Sequence, residues 1–60
     1  MNLGQACKVV KEFADEQAGG DLLEGARLMD IHEELGLLTG EQRLAIRMFM
    51  TAGAAMFAPV

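Results

Sequence analysis

Three times along this chain a short polar side chain stands three positions ahead of a Glu or Gln: Asn2 before Gln5, Asp21 before Glu24, and Thr39 before Gln42. At that spacing the first residue accepts a hydrogen bond from the amide three positions on, and the second reaches back to the first amide. Two donors left free at a helix start are thereby satisfied together. Stop signals alternate with these starts. Gly19-Gly20 precedes the second and Gly36 the third, each suited to the left-handed backbone that ends a helix, and Pro59 closes the last. The pattern predicts an all-α protein with helices at about 3–18, 22–35 and 40–57, forming one helical domain over residues 1–60.

Such a chain is short of core. With 60 residues it hides only about 60% of the surface its unfolded form exposes. Small domains make up the deficit with disulfides, a metal or a second chain. Cys7 is the only cysteine and His32 the only histidine, so neither an internal disulfide nor a Cys/His zinc set can form. A helical bundle completed by homo-oligomerisation is the expectation that remains.

At about 100° per position, the residues of each helix fall into distinct apolar and polar sectors. In the first, Leu3, Ala6, Cys7, Val10, Phe13, Ala14 and Ala18 gather on one side, opposite Lys8, Lys11, Glu12, Asp15 and Glu16. The second has two apolar sides. Leu22, Leu23, Ala26 and Met29 point one way, while Leu28, Ile31 and Leu35 point roughly opposite. In the third, Leu44, Ala45, Met48, Phe49, Ala52, Ala55 and Met56 form a wide sector that Ile46, Met50 and Phe57 extend, leaving Arg43, Arg47 and Thr51 as a polar stripe. A helix apolar over most of its circumference needs cover on several sides, and whatever two neighbours leave bare is a patch for a partner. The small residues Ala52 to Ala55 would let a second copy approach closely. The expected partner or dimer interface is therefore Leu28, Ile31, Ile46, Phe49, Met50 and Phe57, since large apolar groups dominate interface energy.

Charge narrows the partners. The net charge of −4 disfavours general affinity for nucleic acid or an anionic membrane surface. Residues 1–36 carry three basic and eight acidic side chains, whereas residues 37–60 carry Arg43 and Arg47 against Glu41. The segment from Met48 to Val60 is uncharged over 13 residues, too short for a bilayer that needs about 20. With no apolar leader and a single thiol, the reducing cytoplasm is the expected location.

Catalysis and ligand chemistry find little support. There is no Ser/His/Asp set, no glycine-rich phosphate loop, and no carboxylate pair that periodicity places in a cavity. His32 has Asp30, Glu33 and Glu34 nearby in sequence, but residues one or two apart on a helix do not face each other. Cys7 reads as a small buried hydrophobe. No enzyme, no cofactor and no metal site are expected.

The stretch Ile31-His-Glu-Glu-Leu-Gly-Leu37 resembles the first helix and turn of bacterial helix-turn-helix domains. That resemblance implies a small dimeric DNA-binding transcriptional regulator using residues 28–47, with Arg43 and Arg47 on the nucleic acid. It covers about ten residues and departs from the motif at two places. His32 stands where a small residue is usual, and Gln42 where the second helix presents an apolar one. The leading expectation is a small, acidic, non-enzymatic interaction or regulatory protein acting as a helical homodimer, with the DNA-binding regulator as the alternative.

Overall fold

A computed structural model of the chain describes residues 1–57, and the side chains of residues 1–52. Three helices follow one another, α1 (Leu3–Gln17), α2 (Leu22–Glu34) and α3 (Gly40–Phe57), with no strand among the described residues. The expected stop at Pro59 lies outside the described residues, as do the side chains of Gly53 to Phe57.

The helix starts are built as their spacing requires. Asn2 Oδ1 accepts from the Gln5 amide and Gln5 Oε1 from the Asn2 amide, both at 2.8 Å. Thr39 Oγ1 accepts from the Gln42 amide at 3.2 Å and Gln42 Oε1 from the Thr39 amide at 3.0 Å. At α2, Asp21 Oδ1 accepts from the Glu24 amide at 3.1 Å. Each cap is worth about 1 kcal/mol to its helix. α1 and α2 end one residue earlier than the spacing suggests, because Ala18 and Leu35 serve as their C-caps, while α3 runs over the expected Gly40–Phe57.

After α1, the Ala14 carbonyl accepts from both the Ala18 and Gly20 amides. After α2, Gly36 (φ 72°) donates to the Glu33 carbonyl at 3.0 Å and Leu37 to the His32 carbonyl at 2.9 Å. This pair of bonds is a Schellman ending, and it turns the chain into the five-residue corner that leads to α3.

Val10 and Phe13 from α1, Ala26 and Met29 from α2, and Ile46 from α3 make the buried core, with Val9, Leu28, Leu38 and Phe49 packed against it. α1 is the central element and packs along both other helices, while α2 and α3 touch each other least. Where α1 crosses α2, Gly25 lies directly on Ala14. The Phe13 ring meets the His32 ring edge-on with centroids 5.3 Å apart, so the lone histidine packs against the core from α2.

α3 faces inward differently from its sequence expectation. Ile46 was expected on the outer, partner-facing part of the helix, yet it is 0% exposed and buried in its own chain. Leu44 was expected inward and is 61% exposed. The inward direction is rotated by roughly 60° from the centre of the apolar sector at 100° per residue. Ala45 and Ile46 are buried, Ile46 among Val10, Phe13, Ala26 and Met29, while Arg43, Arg47 and Thr51 stay in solvent, which leaves Leu44 and Met50 outward on either side of them.

Candidate functional site

The side of α2 turned away from the core carries exposed apolar residues among charged ones. Gly25, Ala26 and Met29 point inward and set the rotation of the helix. Half a turn away, Glu24, Arg27, Ile31, Glu34 and Leu35 are exposed, with Leu28 half-buried at the edge. Ile31 is 50% exposed and Leu35 is 65% exposed, and Leu37 in the corner that follows is 64% exposed. Isolated exposed leucines are ordinary. Here Ile31 and Leu35 lie one turn apart on one helix face, and Leu37 follows in the next turn.

The six residues expected at an interface are therefore divided. Ile31 lies on this uncovered face and Leu28 on its margin. Ile46 is core, and Phe49 is half-buried against the core on α3. Met50 is exposed on α3, next to the arginine stripe. The Phe57 side chain lies outside the described residues. Periodicity placed Leu23 and Leu44 in inward apolar sectors, yet both are exposed, Leu23 in the first turn of α2 and Leu44 through the rotation of α3; exposed Leu37 sits in a turn, where helical periodicity says nothing.

The two arginines of α3 are not equivalent. Arg47 Nε donates to Glu33 Oε1 at 2.6 Å, tying α3 to α2 across the corner, with the Glu33 side chain 17% exposed. Arg43 is exposed and makes no ion pair among the described residues. The geometry thus gives one of the two expected phosphate contacts a structural partner within the chain. Thr51 Oγ1 donates to the Arg47 carbonyl, as helical threonines commonly do.

An open depression of about 430 Å³ between the start of α1 and the start of α3 is lined by Met1, Gln5, Lys8, Val9, Glu12 and Glu41. A neighbouring one of about 400 Å³ shares Val9, Glu12 and Glu41. No group of three or more His, Cys, Asp or Glu among the described residues is arranged to hold a metal ion. Cys7 is a half-buried free thiol on α1. No described helix is long and apolar enough to cross a membrane.

Compared with protein-family models, curated proteins and solved structures, the chain matches none.

Proposed function

We propose that this chain is a small, non-enzymatic interaction protein that acts as a helical homodimer in a regulatory role, associating through the outer face of α2 and the α2–α3 corner. The observation that carries this reading is the row Ile31, Leu35 and Leu37, at least half exposed on one side of a fold whose core is built from other residues. Burying apolar surface is worth about 25 cal/mol per Å², and a 60-residue chain gains proportionally more from it than a large one. The free Cys7 suits action in a reducing compartment. Sedimentation over about 1 µM to about 1 mM tests the reading, since this range spans the weak affinities expected of small interfaces. Wild-type chain shows a rising mass, and Ile31→Glu with Leu35→Glu holds it at the monomer with helicity retained. A monomer mass for wild type throughout that range defeats the reading.

A further inference from the structure

We infer that two copies of this chain pair through α2 in an antiparallel arrangement, with Arg27 of each copy against Glu34 of the partner subunit. The inference rests on the association reading above and specifies its occupant and register. On the outward side of α2, exposed Ile31 and Leu35 lie one turn apart, and Leu28, half-buried and packed partly against the core, stands three residues before them at the margin, together giving the spacing of a helix-pairing seam. Arg27 and Glu34 are seven residues apart and lie on the same flank of that seam, separated along the axis by about 10 Å at 1.5 Å per residue. Two opposite charges so placed are too far apart to meet within one helix. Both are exposed, and neither makes an ion pair within its own chain among the described residues.

A two-fold axis brings them together. In an antiparallel pair the same flank of each helix faces the other. With the axis passing near residues 30 and 31, Arg27 at one end stands beside Glu34 of the partner subunit, and symmetry repeats the contact at the other end. A parallel pair fails on charge. Glu24 continues the seam four residues before Leu28, and a parallel arrangement sets it directly against its own copy. Two helical turns bury less than the roughly 800 Å² per partner of a standard interface. The pair is accordingly weak and concentration-dependent, and the reciprocal ion pairs fix its orientation and partner choice more than its strength.

Charge exchange tests the register. Sedimentation equilibrium is run on wild type, Arg27→Glu, Glu34→Arg, the double variant, and an equimolar mixture of the two single variants. Each single variant places like charges together twice and weakens self-association about tenfold. The double variant returns to within about threefold of wild type, and the mixture forms a heterodimer at least as tight as wild type. Circular dichroism shows unchanged helicity, and Arg27→Gln gives an intermediate weakening without charge reversal. If wild type dimerises but the double variant and the mixture associate no better than the single variants, the register is overturned while association through α2 stands. A wild-type chain that stays monomeric overturns both.

Discussion

Gly25 and Ala14 hold α1 and α2 at their closest approach: a Cβ added to Gly25 would lie 2.3 Å from the Ala14 Cβ and 2.7 Å from its Cα. Glycine inside a helix costs about 1 kcal/mol relative to alanine, so propensity alone favours replacing it. Packing opposes that exchange more strongly, because the obstructing atoms belong to backbone and to a fully buried alanine.

Gly25→Ala is therefore destabilising by about 1–3 kcal/mol, the usual cost of overpacking, despite the gain in helix propensity. Urea melts followed by circular dichroism measure it. Gly40→Ala, at the first residue of α3 where no atom lies within 4 Å of the added Cβ, is neutral or slightly stabilising. Equal effects at both positions would mean that the close crossing does not hold the helices.

Why the start of each helix could be read from sequence while this crossing could not is a matter of range. A capping box is completed within four residues, so Asn2 with Gln5 and Thr39 with Gln42 carry their structural meaning locally. Gly25 acquires its role only from Ala14 on another helix, and nothing near it in sequence distinguishes it from a weak spot in α2. The burial direction of α3 was obscured for another reason. Where apolar residues surround most of a helix, periodicity gives a sector too broad to tell Ile46 from Leu44. On α2, where two narrow apolar stripes are separated by charges, periodicity did identify Ile31 as lying away from the Met29 side. The exposed apolar face of α2 was legible to that extent, and its continuation through Leu37 depended on the path of the corner.

Ile46 and Ile31 give matched tests of the two apolar environments. Ile46 is wholly buried, so Ile46→Ala removes buried methyl groups and leaves a cavity, costing about 2–5 kcal/mol. Ile31→Ala changes a half-exposed position and costs the monomer less than about 1 kcal/mol. Denaturation at low micromolar concentration separates these folding effects from association. A large loss for Ile31 in the dilute monomer would place it in the core instead.

The corner depends on Gly36, whose φ of 72° an L-residue adopts only at a cost. Gly36→Ala loses about 1–2 kcal/mol through that conformation alone, since nothing lies within 4 Å of the added Cβ. Thermal melts read the loss, and Gly36→Asn, which tolerates the left-handed region better, recovers part of it. An alanine variant as stable as wild type would show that the Schellman ending is dispensable.

Arg47 tests the ion pair against the nucleic-acid reading. Its Nε contact with Glu33 spans α2 and α3, and the arginine side chain is largely exposed. An exposed pair contributes about 0.2–1 kcal/mol and weakens with salt. Arg47→Ala and Glu33→Gln should therefore lower stability by similar small amounts. The double variant should be no worse than either one, and the differences should shrink in about 1 M salt, where screening is nearly complete. A phosphate-binding role makes the opposite forecast. There Arg47→Ala and Arg43→Ala would both reduce affinity for a DNA fragment with a matching drop in salt dependence, while Glu33→Gln, by freeing Arg47, would raise it. Loss of DNA binding in both arginine variants, with stability unmoved, would displace the structural role assigned to the Glu33 contact.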